Sequence, residues 1–510
     1  MAEKETFKTV ISELGETSTL HGIPKIVSAR SVATKVLWCI MLLGAICLFS
    51  IQLYELCDEY YNYPTKTTVR IKYRPLPLPA VTLCNMNPVK RTAIKYSTMH
   101  SLYLLYFAIE HQEMLKIMRI IDKFTGKTYF ELHNSFNNTW ERFDGWKARM
   151  LAEIQTLSLQ DRIEKGHQLE DFILAASFAG HHIPSQSFFT TSSHLYGNCF
   201  TLDVDYLIAR GSGQENSLFV VFNIEKMQYL EEITSSYGVR LVLHEKGTYP
   251  LPVQDGITLS TNFETHIRMR MTKIKRLGGK YGHCTYGLHF KEKYNITYTV
   301  PMCYTLCEAE NVLLECGCQA MFSLELMNIS AKICDFDNDT KCLDNVKKKI
   351  FDGQIQCGCQ SRCEEDILTT TLSGRKWPHN RYLSKVLVRE TCRRNITLLA
   401  NVCAVFEDEF FDENFNQEVY NNISDNFLAV NIYFEDLHFE EISEDPLYNP
   451  VRFMSDIGGA MGLYIGASAL TCIEVLQLLL EIILFLRRKW KDQAPVGQPE
   501  QVNNIHEHTF

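Results

Sequence analysis

The stretch "GLYIGASALTCIEVLQLLLEIILFL", Gly462–Leu486, decides the fold. Its 25 residues are enough to cross a bilayer as a helix, which takes about 20. It also holds two carboxylates, Glu474 and Glu481, and the small triplet Gly466-Ala467-Ser468. An ionised side chain at the bilayer centre costs about 2.5–3.5 kcal/mol on insertion scales. A plain anchor has no use for such groups, whereas a helix facing a water-filled interior does. The bland reading of the small triplet is close helix packing.

A second apolar run, "VLWCIMLLGAICLFSIQLY" (Val36–Tyr54), has 19 residues and no charge. It begins too deep for an ordinary cleaved signal peptide and no small-residue cleavage site follows, so it reads as an uncleaved signal anchor. Arg30 and Lys35 flank its start, and Arg487, Arg488, Lys489 and Lys491 flank the end of the later span. By the positive-inside rule both termini are cytosolic. The expected plan is a cytosolic N-terminus (1–35), a span (36–55), an extracellular domain (56–451), a second span (452–487) and a cytosolic C-terminus (488–510).

Composition agrees with that plan. The chain has 510 residues, of which 46% are hydrophobic, enough for more than one domain. Its net charge of −9 argues against a nucleic-acid partner. Six Asn-x-Ser/Thr sequons, at Asn137, Asn295, Asn328, Asn338, Asn395 and Asn422, all fall between the spans. So do most of the 18 cysteines, ten of them between Cys284 and Cys363. Glycosylation and disulfides belong together in an oxidising compartment. C-x-C spacing also occurs in zinc sites, but this compartment favours disulfides over a metal, and no metal is expected. Cys39, Cys47 and Cys472 lie in the spans as small apolar residues, and Cys57 stands just outside the first.

The extracellular segment reads as mixed α and β around a central sheet. Leu76–Asn85 reads as a proline-stiffened entry into an extended strand, and Ser217–Ile224, Val239–Glu245 and Phe427–Leu437 are rich in β-branched and aromatic residues and predict strands. His100–Phe124 has helical apolar spacing. No His-Glu-x-x-His, nucleophile elbow or phosphate loop occurs, so no enzyme is expected. A twice-anchored adhesion or receptor module remains open on topology, but leaves the intramembrane carboxylates unexplained. A trimeric ATP-gated channel shares the topology, yet nothing marks a cluster of ATP-binding lysines.

Several segments, in order, resemble the degenerin/epithelial sodium channel/acid-sensing ion channel family over nearly the whole chain. "HGIPKI" (His21–Ile26) resembles its cytosolic His-Gly motif, "LPAVTLCNMNP" its first strand, and "YGNCFTLD" (Tyr196–Asp203) a later strand. "DIGGAMGLYIGASALTCIE" (Asp456–Glu474) resembles its pore helix almost residue for residue. The resemblance implies an α+β membrane protein in three copies, with palm, β-ball, finger (about 90–195), disulfide-rich thumb (about 284–403) and knuckle. It implies a plasma-membrane sodium channel, a homotrimer or heterotrimer with related subunits, sensitive to an amiloride-type blocker. No cofactor is implied beyond permeant Na+.

Site residues follow from the same resemblance. Gly466, Ala467 and Ser468 would interrupt the helix and form the narrowest ring, while Glu474 would concentrate cations deeper down. Ser455, Asp456 and Gly459 fall on the outer pore helix; family members keep a small residue at the Ser455 position, where bulk holds the pore open. The alternative for Ser455 is a helix cap. His21 and Gly22 would form a re-entrant loop. The implied disulfides are Cys84–Cys199, Cys284–Cys363, Cys303–Cys359, Cys307–Cys357, Cys316–Cys342 and Cys318–Cys334. Cys392 and Cys403 remain and pair by proximity. Where acid-sensing members carry two finger cysteines, this chain has Ala176 and Ile183.

The stimulus is less determined. "YYNYPTKT" (Tyr60–Thr67) replaces the histidine pair of acid-sensing members. Clustered acids could supply raised pKa values by mutual repulsion: Glu407, Asp408, Glu409, Asp412 and Glu413, or Glu440, Glu441, Glu444 and Asp445. The alternative for both is a solvated face. His181 and His182 are adjacent in the finger, where such a pair can be surface or sensor. The finger differs most from acid-sensing members, which favours a peptide agonist bound there. The expectation is gating by an extracellular ligand, a neuropeptide or protons; constitutive conduction is the alternative. No Arg-x-x-Arg cleavage site stands in the finger.

Overall fold

The computed structural model describes residues 20–95, 123, 151, 154, 157–193, 195–231, 234–319, 331–334, 336–394, 396, 403 and 417–492. Nearly all of the expected helix His100–Phe124 lies outside them, as do the acids Glu407–Glu413 and the sequons at Asn137, Asn328 and Asn395. The principal helices are α1 (Val32–Tyr61), α2 (Val300–Cys316), α3 (Phe336–Phe351), α4 (Pro450–Ile465) and α5 (Ala469–Asp492). The principal strands are β1 (Thr65–Tyr73), β2 (Ala80–Asn85), β3 (Ile173–Phe178), β4 (His181–His182), β5 (Phe188–Ser193), β6 (Gly197–Leu202) and β7 (Leu218–Asn223). They continue with β8 (Gly238–His244), β9 (Ile257–Ser260), β10 (Phe263–Lys275), β11 (Glu364–Lys376), β12 (Phe427–Phe434) and β13 (His438–Pro446).

The chain divides into two units, Thr67–Glu444 and the pair of flanking segments Met1–Lys66 and Asp445–Phe510. The central unit is built on an eight-stranded sheet in the order β1-β13-β10-β12-β7-β3-β4, with β11 also paired to β10. β12 is buried at every position, as expected of a central strand covered on both faces. β10 runs parallel to β12 and antiparallel to β11, in register from Phe263↔Lys376 to Lys275↔Glu364. A five-stranded sheet, β9-β8-β2-β6-β5, packs its apolar face into the same core. Phe172 stands at the seam, with Phe222 at 5.3 Å and Phe200 at 5.9 Å between ring centroids. Fully burying such a side chain is worth about 1.5–3 kcal/mol.

Ala176 and Ile183 face each other across the β3–β4 hairpin, and the Ile183 N–H donates to the Ala176 carbonyl at 2.9 Å. Both side chains are buried, so apolar contact occupies the place where acid-sensing members carry a bridge. His181 and His182 are exposed at the hairpin end.

All seven cysteine pairs named above are disulfides of the structure. Their placement follows from helix geometry. Cys303 and Cys307 lie one turn apart on α2, so both sulfurs leave the same face. They meet Cys359 and Cys357 in antiparallel order. Cys316, at the end of α2, ties to Cys342 on α3. Thr299 caps α2 at its start and Gly317 ends it in the left-handed conformation, φ +66°. Among the described residues, the one cluster with metal-ligand spacing is Cys318, Cys334 and Asp339, and its two cysteines are bonded to each other. Asn295 and Asn422 are exposed, as acceptors of glycan must be.

In the flanking unit α1 runs 30 residues with no buried side chain. It extends past the expected 36–55 at both ends. It is the one helix among the described residues long and apolar enough to cross a membrane unaided. The second apolar stretch is not one helix. It breaks at Gly466–Ser468 into α4, of 16 residues, and α5, of 24.

The disulfide arrangement yields a direct expectation. Cys303→Ser leaves Cys359 unpaired and should destabilise the α2–α3 region by about 2–5 kcal/mol, the range for losing a native bridge. Surface biotinylation should show reduced delivery. Peptide mapping should find Cys359 as a free thiol with the Cys307–Cys357 bridge intact; a different partner for Cys359 contradicts the ladder.

Candidate functional site

The break at 466–468 is made by three residues with separate jobs. Gly466 ends α4 with φ +65° and ψ +18°, a left-handed conformation that glycine adopts without steric cost. Its N–H donates to the Gly462 carbonyl at 3.2 Å, and the Ala467 N–H donates to Met461 at 3.3 Å. Ser468 then caps α5: its Oγ accepts the Thr471 N–H at 3.3 Å, while its own N–H donates to Thr471 Oγ1 at 3.1 Å. In a continuous helix the Thr471 N–H would bond the Ala467 carbonyl. That carbonyl is therefore released from the helical ladder. It points back toward Gly462, where a Cβ would stand 3.9 Å away.

His21 closes over this break. Its N–H donates to the Ile465 carbonyl at 3.1 Å. Its ring lies against Gly466 so closely that a Cβ there would overlap it. Gly22, with φ +93°, starts the short helix Ile23–Ser28 and turns the chain toward α1, near Leu42. Two motifs from opposite ends of the sequence thus meet at one backbone break.

The remaining residues expected to line a pore lie along α4 and α5. Asn449 Oδ1 accepts the Arg452 N–H at 2.7 Å and caps α4, with Pro450 in its first turn. The capping alternative for Ser455 is thereby removed: Ser455 is exposed a turn further on and its Oγ donates to the Val451 carbonyl at 2.9 Å. Asp456 is 4.0 Å from Arg452 Nε. Gly459 has open space beside it and Glu474 is exposed on α5. α4 is held to α1 by stacking of Tyr60 on Phe453, 4.1 Å between centroids. Sequence reasoning missed Asn449, although Asn-Pro is a helix-start signal, and missed Thr471, which stands where a capping box has Glu or Gln.

Of the acids near the end of β13, Glu441 and Glu444 have donors beside them. Glu441 accepts from Lys72 at 2.6 Å and lies 3.9 Å from Lys275. The hydrogen bond from Lys72 holds its carboxyl below the ordinary carboxylate range. Glu444 accepts the Leu277 N–H at 2.9 Å. Of the two readings of this cluster, raised pKa values fail at Glu441, where register places lysines between the acids: Lys273 stands opposite Glu441 and opposite Asp366. Burial pushes the His244 imidazole down to about 4, leaving it neutral between Thr82 and Thr248.

With this geometry in place, the comparisons are specific. The family model for the amiloride-sensitive sodium channel matches residues 14–478. The chain belongs to that family: it is a membrane channel with a disulfide-rich, sheet-containing extracellular domain, and the family consists of ion channels rather than enzymes. It is 25% identical to the FMRFamide-activated amiloride-sensitive sodium channel of Cornu aspersum, covering 97% of this chain and 86% of that protein. It is 25% identical to acid-sensing ion channel 4 of Mus musculus, covering 94% and 81%. It is 23% identical to epithelial sodium channel subunit gamma-2 of Xenopus laevis, covering 96% and 82%.

The Glu441 pairing sets a pH dependence. A carboxyl whose folded pKa is depressed contributes stability above its unfolded value, about 4.5, and loses it as pH falls through the folded value. Glu441→Gln should remove part of the acid-induced destabilisation below about pH 4.5 and leave the neutral-pH slope unchanged. Thermal unfolding of the purified chain across pH 3–7 reads this; an unchanged acid limb contradicts it.

Proposed function

We propose that three copies of this chain form a sodium-selective channel of the plasma membrane, opened by an extracellular ligand and blocked by amiloride-type compounds. In this reading α1 and the broken pair α4–α5 cross the bilayer, both termini are cytosolic, and residues 56–451 face outward. Gly466, Ala467 and Ser468 form the filter. The observation that carries the reading is the helix break itself. Irregular backbone at membrane depth is tolerated where it lines a cavity, and here the Ala467 carbonyl has lost its helical donor to the Ser468 cap. Carbonyl oxygens can replace part of an ion's hydration shell. Glu474, just over one and a half turns along from Ser468, adds a ring of negative charge that concentrates cations.

For the stimulus we favour a peptide, after the FMRFamide-activated relative. At Glu441, the one described candidate proton sensor with a shift, the pKa is lowered rather than raised. Glu225, Glu310, Glu390, Asp436 and Glu441 are all held below their ordinary range by hydrogen-bonded or charged partners, against burial in most of them. Among the described acids with a shift, Asp255 alone is raised, by burial. Protons remain the second stimulus on the strength of the acid-sensing relative.

Ser468→Asp tests the filter. Expressed in oocytes and challenged with pH steps and a panel of neuropeptides, it should shift the sodium reversal potential or weaken amiloride block. Wild-type reversal potential, current and block at normal surface level contradict the filter assignment.

A further inference from the structure

Thr471 is 2% exposed, on the first turn of α5, three residues after Ser468. The pair exchanges backbone–side-chain hydrogen bonds in both directions, and the two hydroxyl oxygens lie 3.3 Å apart. This is a reciprocal cap with threonine standing where glutamate or glutamine is usual. Its chemistry constrains the triplet. The Ser468 hydroxyl is engaged by Thr471 through both its N–H and its hydroxyl, and the Ser468 N–H is engaged too. What the segment then offers an ion is its backbone carbonyls, with that of Ala467 released because Thr471 bonds Ser468 instead.

We propose that Thr471 is a positioning residue for ion selectivity, acting through Ser468 to hold the 466–468 carbonyls in one conformation. The inference rests on the filter reading above. His21 fixes the α4 side of the break through Ile465 and Gly466, and Thr471 fixes the α5 side. A segment pinned at both ends presents its oxygens at set positions. Released at one end, it can adapt to a larger ion, so discrimination against potassium falls. A purely structural cap differs in its consequence: losing it lowers the number of folded channels without changing the permeability ratio of those that remain.

Thr471→Val removes the hydroxyl at nearly constant shape; Thr471→Ser keeps it. The full chain, reconstituted in planar lipid bilayers, is recorded as single-channel openings elicited by pH steps and a panel of neuropeptides, with sodium on one side and potassium on the other. Thr471→Val should lower the sodium-over-potassium permeability ratio, read as a shift of the reversal potential toward that of a non-selective pore. Thr471→Ser should retain the wild-type ratio. If Thr471→Val yields no channels, Thr471→Ala is expected to show the same drop. A wild-type ratio in the hydroxyl-less variants, with Ser468→Asp shifting it in the same bilayers, overturns the role of Thr471 and leaves the filter standing. A wild-type ratio in all of them, Ser468→Asp included, overturns the filter reading and this inference with it.

Discussion

At Gly466 the backbone turns left-handed, and the break between α4 and α5 depends on that one conformation. An L-residue with a side chain resists φ near +65°, and any Cβ would also overlap the ring of His21. The two constraints reinforce each other. The turn ends α4 and brings the Ile465 carbonyl out to accept from His21. It also permits Ser468 to begin a second helix with its own cap. Without the turn, the apolar stretch from 450 to 492 would have every reason to continue as a single helix, with all its carbonyls satisfied internally.

The central unit meets the opposite demand. Its central strand β12 is covered on both faces and its helices α2 and α3 are cross-linked, so neither can move without breaking packed contacts or bridges. Buried polar groups there are tied as firmly. His167, 1% exposed, sits between Glu225 at 2.6 Å and Asn87 at 3.0 Å. Lys90 bridges Glu225 and Asp171, at 2.9 and 2.8 Å. A buried carboxylate surrounded this way keeps its charge, and removing one partner leaves the others costly to bury.

Much of this was legible in the sequence for physical reasons. Phe427–Leu437 predicts a strand because a short β-branched and aromatic run fits a doubly covered sheet, and Phe427–Phe434 is that strand. Six of the seven cysteine pairs came from resemblance, since spacing alone allows many connectivities, and Cys392–Cys403 came from proximity. The break at 466–468 was visible as Gly-Ala-Ser, yet hydropathy could not separate an interruption from close packing, because both favour small residues. The contact of His21 with Gly466 was not legible: no local propensity reports a meeting of residues so far apart in sequence. Glu441 misled for a related reason. Its neighbours in sequence are acids, but its neighbours across the sheet are lysines.

The central claim is that the apolar stretch is broken at 466–468 and that His21 holds the break. Electron cryo-microscopy of the full chain in lipid nanodiscs measures this most directly. The account predicts three copies around one axis, helix density interrupted at Gly466–Ser468, and the His21 ring against Gly466 in each copy. Continuous helical density from Pro450 to Asp492, with the His21 segment elsewhere, would contradict it.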